Sequence, residues 1–389
     1  MSKILYITNV GGKRMAYGFS GTAIEAAHSL GHEFYAVANR SRATPEEIKE
    51  DEEKYGIRLL HMDVARSPFS LQNLVAYKQL VKLIQEENID YIHCNTPIGG
   101  ILGRLAGKKC KVKRVIYQAH GFHFYKGAPL INWLLYYPVE KWLAHYTDAL
   151  ITINREDYEL AKKKFKLRNG GKVYYVPGVG IDTAQYTPNK NVSAASENFS
   201  IWAQKRVELG IPLDAFLLIS AGDLNINKNN RVIISAMEKL NNKQIHYVLC
   251  GVGDQQAKMQ KQADDAGLHD NIHFLGFRTD IKELYETADC FVMPSLREGL
   301  SRSMMEAMAS GLPCIASRIR GNTDLLEGAE GGFLCNTMDV DDYAEKLNIL
   351  ANDAELRAKM GEHNLRNIVN FGIETVTEEI RKIYDAELG

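Results

Sequence analysis

Short apolar runs rich in Ile, Val, Phe and Tyr alternate along this chain with longer stretches whose apolar residues recur every three or four positions. The first pattern is that of buried strands and the second that of helices packed by one face, and their alternation predicts parallel α/β architecture. In the first half the predicted strands are 3–8, 33–38, 57–62, 89–93, 114–118, 149–153 and 173–176. In the second half they are 216–221, 245–250, 272–275, 290–294 and 313–317. A polar, turn-rich passage from Pro177 to about Phe199 reads as a linker between the halves. A final helix, roughly Ile373 to Leu388, follows after the second alternation is complete.

A chain of 389 residues exceeds one ordinary core and predicts two domains, drawn here as 1–185 and 200–370, with 371–389 as the closing helical segment. Apolar residues make up 45% and charged residues 24%, values of a water-soluble globular protein. No apolar run reaches the ~20 residues of a membrane span, and the opening Met-Ser-Lys-Ile-Leu-Tyr leads into a strand rather than a signal peptide. The six cysteines form no Cys-x-x-Cys pair and sit mostly in strand-like runs, the pattern of structural thiols in a reducing cytoplasm. The net charge of −1 hides an asymmetry. Residues 1–200 carry 27 basic and 19 acidic side chains, and the excess lies in 101–180, with 15 basic against 5 acidic. Such a patch can draw in an anionic partner or membrane surface, or simply face solvent.

Candidate chemistry concentrates in Ser295-Leu-Arg-Glu298-Gly-Leu-Ser-Arg-Ser-Met-Met-Glu306-Ala-Met-Ala-Ser-Gly311-Leu-Pro313. It predicts a strand, a glycine turn, a helix over about 302–310 and a second short strand. Glu298 falls in the turn and Glu306 two helical turns on. The N–H groups of Gly299, Leu300 and Ser301 are expected to open the helix, which makes an anion site. Carboxylates beside a positive helix terminus suit a ligand that is part polyhydroxyl and part diphosphate. Ser303-x-x-Glu306 also reads as a capping box, a purely structural use of Glu306.

Glu-x7-Glu followed by Ala-Met-Ala-x-Gly-x-Pro resembles the donor-site signature of the retaining glycosyltransferases of family 4. The resemblance implies the GT-B fold: an α/β chain of two Rossmann-like domains facing each other across a cleft, its C-terminal helix crossing back to the first. It also implies that Glu298 faces the donor sugar, Glu306 holds the ribose hydroxyls and the amides of Gly299, Leu300 and Ser301 take the diphosphate. In Gly222-Asp-Leu-Asn-Ile-Asn-Lys228, Lys228 matches a lysine that clamps the diphosphate; Asp223 stands where the family has arginine. Gly253, in Cys250-Gly-Val-Gly, resembles the family's Gly-x-Gly loop. Phe277 and Arg278, in Phe274-Leu-Gly-Phe-Arg, match the stretch that reads the nucleotide base.

In the first half, Gly11-Gly12 follows the first strand. It forms neither a P-loop nor Gly-x-Gly-x-x-Gly, which argues against an NTPase or a dinucleotide dehydrogenase, and it would let backbone approach a substrate. Gln118-Ala-His120-Gly-Phe-His123 resembles a family 4 subgroup that builds bacterial capsule, exopolysaccharide or lipid-linked oligosaccharide. By that resemblance His120 approaches the donor sugar's hydroxyls, whereas His123 reads as a packed or solvent-facing histidine. Residues 124–146 mix Trp, Tyr and Leu with Lys126 and Lys141, a composition for membrane contact that equally suits a core.

These expectations amount to a bacterial retaining enzyme that moves a hexose or N-acetylhexosamine from a UDP-sugar to a glycan carried on undecaprenyl diphosphate. It would need neither metal nor cofactor and would work at the inner membrane face, without nucleic acid. An epimerase-like sugar-nucleotide enzyme and a non-catalytic donor-binding partner subunit are the alternatives.

Overall fold

The computed structural model describes residues 2–9, 17–65, 67–188, 197–326, 328 and 330–389. Contacts divide the chain into two units, Met1–Gly180 with Ile373–Gly389, and Ile181–Gly372.

The first unit holds β1 (Lys3–Ile7), β2 (Glu33–Ala38), β3 (Arg58–His61), β4 (Tyr91–Asn95), β5 (Arg114–Ala119), β6 (Ala149–Thr152) and β7 (Lys172–Tyr175). They form one parallel sheet in the order β3-β2-β1-β4-β5-β6-β7. Its helices are α1 (Tyr17–Ser29), α2 (Pro45–Tyr55), α3 (Gln72–Glu86), α4 (Pro97–Cys110), α5 (Leu130–Ala144) and α6 (Arg155–Lys164). The inner strands β1, β2, β4, β5 and β6 are buried on both faces, which is why they read as continuous apolar runs. Gly100, Gly103 and Gly107 let α4 lie close on the sheet: a Cβ at Gly103 would sit 2.6 Å from that of Cys94.

The second unit opens with α7 (Thr183–Tyr186) and α8 (Glu197–Glu208). Its strands are β8 (Phe216–Ala221), β9 (Ile245–Cys250), β10 (Ile272–Gly276), β11 (Cys290–Met293), β12 (Cys314–Ser317) and β13 (Gly332–Cys335). The sheet is parallel in the order β10-β9-β8-β11-β12-β13. Around it lie α9 (Arg231–Leu240), α10 (Gln256–Asp265), α11 (Ile281–Thr287), α12 (Arg302–Ala309), α13 (Asn322–Leu325), α14 (Val340–Asn352) and α15 (Ala354–Asn367). The last helix of the chain, α16 (Ile373–Leu388), groups with the first unit. It packs on α1, and its Tyr384 hydroxyl lies 2.6 Å from His93 Nδ1 beneath β4.

Two expectations need correction. The passage expected as a linker is partly folded into the second unit: Ile181 is fully buried, its N–H donates to the Phe371 carbonyl (3.1 Å), and Tyr186 packs against Tyr285. Two large buried side chains in a polar run are too sparse to register as periodicity. Strand β13 was not anticipated, because Gly332-Phe-Leu-Cys335 is a brief apolar run pressed behind Gly331.

Candidate functional site

In the second sheet β8 and β11 are neighbours, and the chain winds outward from them in opposite directions. The carboxyl ends of such a strand pair are where open α/β sheets hold ligands. Lys228 lies in the loop after β8 and Glu298 in the loop after β11. Lys228 Nζ donates to Glu298 Oε1 at 2.7 Å, with the side chains 20% and 16% exposed. The two loops are joined along their backbones as well. The Leu296 N–H donates to the Asn227 carbonyl (2.8 Å), and the Asn227 amide donates to the Arg297 carbonyl (3.0 Å). Asn229, left-handed at φ +52°, gives its amide to the carbonyls of Pro294 and Thr337. The pair is thus fixed by its supporting loops.

Glycines set how closely these loops approach. A Cβ on Gly251 would fall 1.9 Å from the Gly222 carbonyl oxygen, and one on Gly253 2.2 Å from that of Leu224. Gly253 therefore serves backbone packing between the loops after β8 and β9. A third glycine, Gly321 (φ +81°), backs the turn after Glu298: its Cβ would fall 2.3 Å from the Gly299 carbonyl oxygen. Sequence reasoning passed over Gly321, although Arg320-Gly-Asn322 repeats the pattern of a glycine turn just after a strand.

Helix α12 begins where expected, but the amides expected to open it are placed differently. Ser301 is the N-cap, its hydroxyl accepting from the Met304 N–H at 3.3 Å, so the helix begins at Arg302 and Gly299 and Leu300 lie ahead of it. The Ser303–Glu306 capping box does not form. The Glu306 carboxylate instead accepts from Arg302 Nε (2.9 Å) and lies beside the Tyr186 hydroxyl, whose pKa burial, and then the Glu306 charge, push up to about 12. Glu306 is 12% exposed and held between Arg302 and Tyr186. Phe277 projects into solvent at 79% exposure. Arg278 is engaged by Asp280 (Nε to Oδ1, 2.8 Å), with Glu208 at 3.6 Å. Asp223 is exposed. Among the described residues no group of three His, Cys, Asp or Glu side chains is placed to hold a metal ion, and the fixed positive charge beside Glu298 comes from Lys228 and the start of α12.

In the first unit the equivalent reversal of winding falls between β1 and β4. Asn95 ends β4 and His120 follows β5. His120 Nε2 donates to Asn95 Oδ1 at 3.0 Å, and the ring of Phe19 lies 4.3 Å away. Burial pulls the His120 pKa down to about 4, so its imidazole is neutral at physiological pH. Asn95 Nδ2 is buried with no partner among the described residues. Asn95 was not singled out from sequence, because nothing local marks it. Gly11 and Gly12 lie outside the described residues. His123 packs against Tyr136, the structural use expected of it.

His93 and His120 share one consequence. Burial lowers both, to about 3 and about 4, from the ordinary 6.5 of an unfolded chain. Below pH 6.5 the unfolded state takes up protons that the folded state refuses, so stability falls with pH until the folded values are passed. The urea midpoint of the protein is expected to drop between pH 6.5 and 4.5, and a His120→Asn variant to show a shallower drop. Equal slopes would show that His120 does not carry this dependence.

The model for "Glycosyl transferase 4-like" proteins matches residues 3–154, and that for "Glycosyl transferases group 1" matches residues 203–366. EpsD of Bacillus subtilis (strain 168), assigned as a glycosyltransferase, is 38% identical over 92% of this chain and 90% of its own length. The UDP-Gal:alpha-D-GlcNAc-diphosphoundecaprenol alpha-1,3-galactosyltransferase of Escherichia coli is 29% identical over 81% of this chain and 80% of its own. Among solved structures, Anabaena Alr3699/HepE in complex with UDP superposes with a TM-score of 0.77 at 20% identity, over 99% of this chain and 100% of that one. The two parallel sheets, the motif after β11 and these likenesses agree: the chain is a glycosyltransferase of family 4, with the GT-B fold.

Proposed function

We propose that this glycosyltransferase moves a hexose or N-acetylhexosamine from a UDP-sugar to a hydroxyl of an undecaprenyl-diphosphate-linked glycan, with retention and without a metal ion, during assembly of a bacterial surface polysaccharide at the cytoplasmic face of the membrane. The observation that carries the reading is the Lys228–Glu298 pair at the strand reversal of the second sheet. A cation for a diphosphate and a carboxylate for sugar hydroxyls stand side by side. The E. coli relative named for a UDP-sugar and a diphosphoundecaprenol acceptor supports the choice of substrates.

In this reading the bond from the anomeric carbon to the diphosphate oxygen breaks as the acceptor oxygen bonds to that carbon on the same face. The acceptor's proton passes to the departing phosphate oxygen, so no protein nucleophile is required. Lys228 and the amides of Gly299, Leu300 and Ser301 stabilise the charge gathering on the diphosphate. Glu306 takes the ribose hydroxyls, Phe277 and Arg278 border the base, and neutral His120 hydrogen-bonds the donor sugar. Gly11 and Gly12 contact substrate, and Gly253 shapes the loops after β8 and β9.

The test is nucleotide release from a set of UDP- and GDP-sugars, with and without undecaprenyl-diphosphate-linked acceptors, in EDTA. Acceptor-dependent UDP release from one donor, with an α-linked product by NMR, is expected. Release that requires an added divalent ion would overturn metal independence, and an inverted anomer would overturn retention.

A further inference from the structure

Helix α5, Leu130-Ile-Asn-Trp-Leu-Leu-Tyr-Tyr-Pro-Val-Glu-Lys-Trp-Leu-Ala144, is apolar on both sides. Its inner side packs Trp133, Tyr137 and Ala144 against the core of the first unit. Its outer side leaves Leu130, Ile131, Leu134, Leu135 and Trp142 between 51% and 80% exposed. A globular surface rarely carries so much apolar area on one helix without a use for it.

A second exposure lies across α4. Phe69, Leu71 and Leu74 are 91%, 78% and 62% exposed and line an apolar groove of about 850 Å³, whose other wall includes Leu105, Lys108 and Lys109 of α4. Lys108 connects the two regions: its Nζ sits 3.9 Å over the ring of Tyr146, which meets Trp142 edge to face. The groove, the α4 lysines and the outer side of α5 therefore run together.

The charges on this face all have one sign. Between Ile101 and Thr147 there are eight Lys and Arg and a single carboxylate, Glu140. That carboxylate is turned inward, where it accepts from the fully buried Arg104 at 2.8 Å and from the Tyr117 hydroxyl at 3.2 Å. Lys108, Lys109 and Lys141 are exposed and form no ion pair with a carboxylate among the described residues. A second copy of the chain would set lysines against lysines. A helix of 15 residues reaches only ~22 Å and cannot cross a bilayer, but it can lie along one.

We infer that the outer face of α5, together with the α4 lysines and the groove at Phe69–Leu74, docks this protein on an anionic lipid bilayer. The inference rests on the reading of the acceptor as lipid-linked and adds the surface through which the enzyme reaches it. Leu134, Leu135 and Trp142 enter the interfacial zone, while Lys108, Lys109 and Lys141 face the head groups.

The experiment is co-sedimentation of the full chain with phosphatidylcholine vesicles, with and without 30% phosphatidylglycerol, read beside UDP release to a short-chain, water-soluble acceptor. Wild type is expected to bind the anionic vesicles at least tenfold more tightly than the neutral ones and to lose most of that binding in 0.5 M salt. Leu134→Glu/Leu135→Glu and Lys108→Glu/Lys109→Glu should each weaken binding about tenfold while release to the soluble acceptor stays within twofold. An active wild type that binds neither vesicle overturns the docking face and leaves the transferase reading intact. A concentration-dependent dimer, or capture of an acidic protein, that the Leu134→Glu/Leu135→Glu change abolishes while vesicle binding persists also overturns it. Vesicle binding without UDP release from any donor supports the docking and sinks the UDP-sugar donor proposed above.

Discussion

Replacing Glu298 by glutamine is expected to lower acceptor-dependent UDP release by about 10²–10³-fold, the loss typical of removing one charged contact to a reacting group. The substitution keeps the shape of the side chain and discharges it, so the loss isolates the carboxylate. It also releases Lys228, whose ammonium now bonds Glu298 at 2.7 Å. Lys228→Met should raise the KM for donor and lower kcat, because the cation serves the diphosphate both when it binds and when it departs. The two residues form one unit held by the Asn227–Leu296 backbone bond, so the double variant should lose about as much as the worse single one. Stability provides the control. Stripping one partner from a pair this buried costs up to about 3–5 kcal/mol of stability, so rates are compared per folded enzyme, with the folded fraction of each variant read from its melting curve. A Glu298→Gln enzyme within threefold of wild type would remove Glu298 from the chemistry altogether.

The second large effect is expected at a residue with no functional group. Gly321→Ala should inactivate the enzyme and lower its melting temperature by about 10 °C, which corresponds to roughly 3 kcal/mol or more for a unit of this size. Two causes combine. An L-residue at φ +81° is strained by ~1–2 kcal/mol, and the new Cβ would lie 2.3 Å from the Gly299 carbonyl oxygen. That oxygen belongs to the turn carrying Glu298 and leading into Ser301, so relief of the clash displaces the amides at the start of α12. Gly267→Ala separates the causes: Gly267 is also left-handed, at φ +65°, but a Cβ there meets nothing within 4 Å. It should cost only the backbone strain and leave activity unchanged. Equal damage from the two substitutions would show that the contact with Gly299 is immaterial.

Local chemistry was legible in the sequence wherever a chain segment acts on itself. Strand-then-glycine-turn segments marked the loops after β8, β9 and β11 and thereby Lys228, Gly253 and Glu298. Choices made across the fold were not legible. Ser301 and Ser303 both precede apolar residues at cap-like spacing, and only the folded turn decides that Ser301 bonds Met304. Asn95 and His120 are 25 residues apart and meet only because β4 and β5 pair. Helix α5 was ambiguous for a different reason. Its residues are apolar all round, so periodicity could not say which side faces the core, and the answer came from Arg104 drawing Glu140 inward.

The closing helix has a consequence for the order of events on the ribosome. The first unit is encoded in two pieces, and α16 supplies Val376, Ile380 and Tyr384 to its core and a main-chain carbonyl, from Leu388, to the Tyr91 hydroxyl. The sheet β1–β7 emerges first but lacks one covering until Ile181–Gly372 has been translated, a delay of about 10–40 s at ordinary elongation rates. During that interval the second unit can complete itself while the earlier-made sheet, whose α1 side still lacks α16, is the part of the nascent chain that needs a chaperone.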